Sequence, residues 1–139
     1  MCLGGRAVVN IGQRITCTDV GVYILVCTKS SGQCATVCPT YVGEVGDGES
    51  SSFTHRLAGH LGTAKDRSQV DTVKPVGRHF RLPGHQPDRD MQMIPIEKIQ
   101  DNFTRKARES FYIDKLKSLK RLEVTDIEHG LNLSRGQTV

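Results

Sequence analysis

The sequence predicts an α+β domain: a small, mostly antiparallel three-stranded sheet flanked by helices. Three observations predict it. First, Gly21-Val22-Tyr23-Ile24-Leu25-Val26-Cys27 and Tyr41-Val42-Gly43 are rich in Val, Ile and Tyr, side chains that suit a pleated, half-buried surface. Between them Lys29-Ser30-Ser31-Gly32-Gln33 is a cluster of turn formers, so the pair reads as a hairpin with a long loop. Second, Met91 and Met93 alternate with Gln92, Ile94 and Ile96, which predicts a third strand, and Pro95 assigns it to an edge or a strand end. Third, Glu109, Tyr112, Ile113 and Leu116 recur at i, i+3, i+4, i+7, one stripe of a helix that Asp101 caps and that runs from Asn102 to about Leu119.

The remaining elements follow from punctuation. Residues 1–20 show no periodicity and read as a lead-in, 21–133 as the domain and 134–139 as a tail. Ser52 caps a helix from Phe53 to about Asp66, with Phe53, Leu57 and Leu61 on one face. Gly59 and Gly62 weaken it by about 1 kcal/mol each relative to Ala. Pro75 opens a short helix that ends near Leu82-Pro83-Gly84. On the last helix Phe103, Ala107 and Phe111 form a second stripe, which predicts a helix wrapped on two sides. Glu109 among Tyr112, Ile113 and Leu116 needs a cation to offset its desolvation. Arg105 and Lys106, one turn earlier, are one source; a divalent metal is the other.

A chain of 139 residues is one domain with a modest core. Its mean hydropathy of −0.36 and the absence of any apolar run near the ~20 residues of a membrane span argue against a membrane protein. Met1 to Gly12 lacks the pattern of a secretory signal. The formal charge of +4 gives only mild attraction to polyanions. The 5 cysteines, an odd number with no signal, argue against a disulfide framework. Cys2 and Cys17 read as plain thiols, whereas Cys27, Cys34 and Cys38 crowd the hairpin loop, which favours metal over a disulfide. His79 and His85 are spaced H-x5-H, within the His–His range of structural zinc sites. The alternative is a pair of surface histidines with core thiols.

The triplets Gly21-Val22-Tyr23 and Tyr41-Val42-Gly43 resemble the signature of the GIY-YIG nucleases, each with Val in place of Ile. Arg56 and His60 have the spacing of that family's Arg and His or Tyr on the following helix, and Glu109 matches its metal-holding Glu on a later one. Asn132 in Gly130-Leu131-Asn132 matches the Asn that often completes the site. The insertion at Gly46–Ser50 falls in loop, where added length is tolerated. The similarity runs from about Cys17 to Asn132. Within the family, Arg78-His79-Phe80-Arg81-Leu82-Pro83-Gly84-His85 and Arg108-Glu109-Ser110-Phe111-Tyr112-Ile113 resemble the nuclease domains of Penelope-like retroelements. Those often carry zinc on two Cys between the triplets and two His in the later segment. The cysteine side departs from the usual C-x2–4-C, since Cys27 to Cys34 is C-x6-C. Cys27, Cys34, His79 and His85 are the expected ligands, with Cys38 as the alternative.

The resemblance implies a DNA endonuclease with Mg²⁺ or Mn²⁺ at Glu109, an intracellular and nuclear location, and a reverse transcriptase fused to it or outside this chain. The residue chemistry is consistent. A hard cation on a carboxylate stabilises the phosphoryl and leaving oxygens, and Arg56 can fork onto the phosphate. Tyr23, its phenolate favoured beside Arg56 and a metal, is the expected general base, with Tyr41 as its hydrogen-bonding neighbour and His60 moving the proton. Taken singly, either tyrosine reads as a core side chain with a satisfied hydroxyl. The competing reading of the whole is a zinc-stabilised nucleic-acid-binding module that has lost cleavage. Its basic residues Arg105, Lys106, Arg108, Lys115, Lys117, Lys120 and Arg121 would serve backbone binding equally well.

Overall fold

The computed structural model describes residues 12–46, 51–66, 75–116, 118 and 130–132. The elements in order are β1 (Gly21–Cys27), α1 (Cys34–Val37), β2 (Thr40–Val45), α2 (Phe53–Lys65), α3 (Pro75–Phe80), α4 (Pro87–Asp90), β3 (Met91–Lys98) and α5 (Asn102–Leu116). The sheet is antiparallel throughout, in the order β2-β1-β3. The predicted hairpin is therefore present, and the Met91 strand joins it on the far side of β1. Pro95 lies in this outer strand, where its missing N–H breaks no ladder between two neighbours.

All 7 residues of β1 are buried, as a central strand covered on both faces requires. Alternation divides its side chains between two cores. Tyr23, Leu25 and Cys27 face Phe53, Ala64, Val76, Phe80 and Met91 under α2 and α3, with Leu57 and Leu61 packed alongside. Val22, Ile24 and Val26 face Val42, Ile96, Tyr112 and Ile113 under α5. The predicted stripes of α2 and of α5 through Tyr112 and Ile113 are the ones that anchor these helices.

The caps read from sequence are formed. Ser52 accepts from His55 N at 3.1 Å, and Asp101 Oδ2 accepts from Thr104 N at 2.7 Å. The second stripe of α5 does not pack: Phe103 is 75% and Phe111 44% exposed. One sheet face offers one contact surface, and α5 has spent it on Tyr112 and Ile113. Arg108 and Lys115 instead cover part of the Phe111 ring, at 4.4 and 5.5 Å from its centroid. The short helices α1 and α4 are additions to the predicted set.

Residues of the lead-in are bonded into the domain. Asp19 O and Cys17 O accept from Phe53 N and Thr54 N, and Val20 O accepts from Ile99 N. At the outer edge of β2, Thr40 forms a parallel bridge with Gly130, and the Asn132 amide spans the Val42 backbone. Its Oδ1 accepts from Val42 N at 2.8 Å while its Nδ2 donates to Val42 O at 2.7 Å.

Two glycines fix how the strands carry the tyrosine. Gly43 pairs directly with Tyr23, and a Cβ there would stand 2.3 Å from the Tyr23 hydroxyl oxygen and 2.8 Å from a Tyr41 ring carbon. The Tyr23 ring thus lies across the backbone of β2. At Gly21 a Cβ would meet Glu97 O at 1.9 Å, so β3 closes on a residue without a side chain. Gly43→Ala should cost about 1–3 kcal/mol of stability through overpacking and push Tyr23 off its position. Thermal melting checks this: the cost should shrink in a Tyr23→Ala background, and a Gly43→Ala protein melting like wild type would contradict it.

Candidate active site and metal centre

Four ligand atoms from three separate elements and a turn converge behind β1. Cys27 ends β1, Cys34 begins α1, His79 lies on α3 and His85 follows the turn after it. Their donor atoms all lie within 4.8 Å of one another. Cys34 Sγ is 3.6 Å from His79 Nε2 and 3.4 Å from His85 Nε2. A tetrahedral zinc with ordinary Zn–S and Zn–N bonds sets its S and N ligands about 3.6 Å apart. The donor set and its spacing therefore fit zinc. Cys27, Cys34 and His79 are buried and His85 half-buried. Burial, reinforced by the nearby His85, holds His79 down at about 4, so its ring is neutral and ready to ligate. Burial pushes the Cys27 thiol up to about 12, and a metal would have to displace that proton.

The C-x6-C pair is thus the one that meets the histidines. Cys38, the alternative, lies outside the cluster: it ends α1 in the left-handed region at φ 49°, its N–H bonded to Cys34 O. The cluster is tied to neighbouring elements on two sides. Thr28 N donates to Asp90 O at 2.8 Å, and Arg81 Nη2 donates to Thr63 O on α2 at 2.5 Å.

The tyrosine site lies farther along β1, towards its N-terminal end. Tyr23 is 1% exposed, and its hydroxyl is 2.8 Å from His60 Nε2. Tyr41 packs on both, its ring centroid 6.3 Å from Tyr23 and 5.5 Å from His60. Phe53 closes the far side of Tyr23 edge-on. Arg56, one turn before His60 on α2, is exposed, and its charge favours ionisation of both tyrosines. Burial outweighs it. Desolvation pushes Tyr23 well above the usual phenol range, with Tyr41 second and Arg56 opposing, and it raises Tyr41 likewise. The expected lowering beside Arg56 is therefore overridden in the chain's own field.

Glu109 reaches the same region from α5: its charge acts on both Tyr23 and Tyr41. Burial pushes its carboxyl up to about 7, Glu44 adds to the shift, and Lys106 and Arg56 oppose it. The cations expected from sequence to meet it go elsewhere. Arg105 donates to Glu44 Oε2, to Gln100 O at 2.9 Å and to Asn102 Oδ1 at 2.9 Å. Lys106 Nζ reaches Glu44 Oε1 at 3.2 Å. None of the ion pairs among the described residues involves Glu109. A half-buried carboxylate in that position fits a hard cation.

Tyr23, Tyr41 and His60 are thus in mutual contact, with Arg56 one turn from His60 and the charge of Glu109 acting on both tyrosines. Asn132 is engaged differently: besides Val42 it accepts from Ser118 Oγ at 2.7 Å, so its amide secures the edge of β2. Lys117, Lys120 and Arg121 lie outside the described residues, as do Cys2 and most of the 46–50 insertion. Glu44 and Glu97 were not singled out from sequence. Glu44 directly follows the second triplet and shares the strand face of Val42 towards α5, which was the available signal. Glu97 accepts from Arg108 Nη2 and from Tyr112 Oη, both at 2.6 Å, a pairing that no spacing reveals. Among the described residues no helix is long and apolar enough to cross a membrane. The chain matches no family model, and comparison with curated proteins and with solved structures finds no match.

Proposed function

We propose that this chain is a metal-dependent DNA endonuclease of the GIY-YIG type, similar to those of Penelope-like retroelements, acting in the nucleus with a reverse transcriptase as its partner. The observation that carries the reading is buried Tyr23 bonded to half-buried His60 and packed by Tyr41, in the field of an exposed arginine and of a half-buried carboxylate met by none of the ion pairs among the described residues. A core tyrosine needs a hydrogen-bond partner but not the other three. Glu109 would hold Mg²⁺ or Mn²⁺, which supplies Lewis-acid stabilisation of the phosphoryl and leaving 3′ oxygens.

The chain's own groups divide the rest. Arg56, exposed and always charged, forks onto the phosphate as negative charge builds there. The attacking water gives its proton to the Tyr23 oxygen while Tyr23 passes its own proton to His60 Nε2 at 2.8 Å. That relay never requires a free phenolate, so the raised affinity of Tyr23 for its proton does not block it. The water oxygen bonds to phosphorus, and the bond to the 3′ oxygen breaks. Tyr41 packs against both relay members and holds their rings in place.

Tyr23→Phe tests this. It removes one oxygen and keeps the ring against Phe53, so folding and DNA binding should persist while cleavage of plasmid and branched DNA falls about 10²-fold or more. Equal cleavage by both proteins would assign the activity to another site. Binding with no cleavage by either would select the silent nucleic-acid-binding module, the reading favoured by the strong desolvation of Tyr23.

A further inference from the structure

Three cations of α5 stand within one turn of Glu109, and all three are engaged by other carboxylates. Residues 105 and 106 precede 109 by four and three positions, the spacing at which side chains on a helix meet. A Lys or Arg there would ordinarily pair with the glutamate. Instead both turn to Glu44 on β2, and Arg108 forks onto Glu97 on β3. Arg105 is 4% exposed and held by two further acceptors, Gln100 O and Asn102 Oδ1. Gly46 completes its berth, since a Cβ there would lie 2.3 Å from Arg105 Nη2. Lys106 is bonded to Glu44, and its charge still acts on Glu109.

We propose that Glu44 is a positioning residue: by holding Arg105 and Lys106 it keeps both cations off Glu109 and leaves that carboxylate open to a divalent ion. The inference rests on the reading of Glu109 as the metal carboxylate. It assigns Glu44 a task distinct from ligation. Without Glu44, Lys106 is the side chain able to swing onto Glu109, because Arg105 keeps its other acceptors. The competing cation would then have to be displaced each time the metal binds.

Binding of Mn²⁺ to the full chain, read from the free-ion electron paramagnetic resonance signal, tests this without reference to cleavage. Glu44→Gln should weaken binding about tenfold, a coupling of the size seen between contacting groups. Adding Lys106→Met should restore most of that loss, whereas Lys106→Met in the wild-type background should change binding less than about threefold. A simple net-charge effect would make Lys106→Met act equally in both backgrounds, and that additive result would overturn the proposal. Glu44→Gln leaves buried Arg105 without its counter-charge and can unfold the chain. Glu44→Asp keeps the charge but withdraws it by one methylene, so it reads the same coupling with Lys106→Met. Wild type and Glu109→Gln binding Mn²⁺ alike would remove the metal reading and the proposal with it. Binding through Glu109 with additive variants would remove the positioning role alone.

Discussion

Cys34→Ser is expected to strip the chain of zinc and to cost several kcal/mol of stability. Cys34 is the hub of the cluster, its sulfur touching both histidine nitrogens at 3.6 and 3.4 Å. Structural zinc in small peptides contributes about 10–16 kcal/mol of folding free energy. The loss here should be smaller than that, because the sheet has cores on both faces and the one under α5 contains none of the four side chains. The elements expected to loosen most are α1 and α3, which begin with or carry a ligand, although α3 also packs on α2 and Arg81 donates to Thr63 O. Cys38→Ser is the matching control and should keep close to one zinc per chain, since Cys38 is outside the four-ligand set. Elemental analysis together with melting decides the matter. Zinc lost from Cys38→Ser but kept by Cys34→Ser would reverse the assignment, and wild-type protein free of zinc would return these side chains to a buried thiol and histidine core.

Much of this arrangement was legible in the sequence, for identifiable reasons. Alternation and turn chemistry are local, so the hairpin, the Met91 strand and the caps Ser52 and Asp101 could be read directly. The cluster of Cys27, Cys34, His79 and His85, which could hold zinc, was legible because few residue types can ligate that metal and because the family resemblance paired the two segments. Charge pairing was not legible. Lys106 and Glu44 are 62 residues apart, and helical spacing pointed to the local partner Glu109 instead. The exposed Phe103–Phe111 stripe misled for a similar reason: periodicity reports that a face is apolar, not that anything is there to cover it. Burial of Tyr23 also depends on distant elements, and so the direction of its shift needed the fold.

Glu109→Ala carries the largest functional effect expected. It removes the carboxylate assigned to the catalytic metal and leaves the Tyr23–His60 pair intact, so cleavage should fall on the order of 10³-fold, the scale of losing a main electrostatic stabiliser. The same carboxylate should give a pH signature in stability. Its folded-state value of about 7 lies above the ordinary glutamate value of 4.5. Between those values the folded chain retains a proton that the unfolded chain has released. Stability of the metal-free protein should therefore fall as pH rises through that window, and Glu109→Ala should abolish this component. Mn²⁺ at pH 8 should raise the melting temperature of wild type by mass action and leave Glu109→Ala unmoved. A wild-type melting curve with no such pH component would contradict the burial assigned to Glu109.

The most direct measurement is cleavage of supercoiled plasmid by zinc-loaded wild type and Glu109→Ala in Mn²⁺, with DNA binding followed in the same samples. Wild type should cleave and stop on chelation of Mn²⁺, while Glu109→Ala should show no detectable cleavage and bind DNA equally or more tightly. Cleavage by Glu109→Ala at the wild-type rate, or DNA binding without cleavage by the wild type itself, would contradict this.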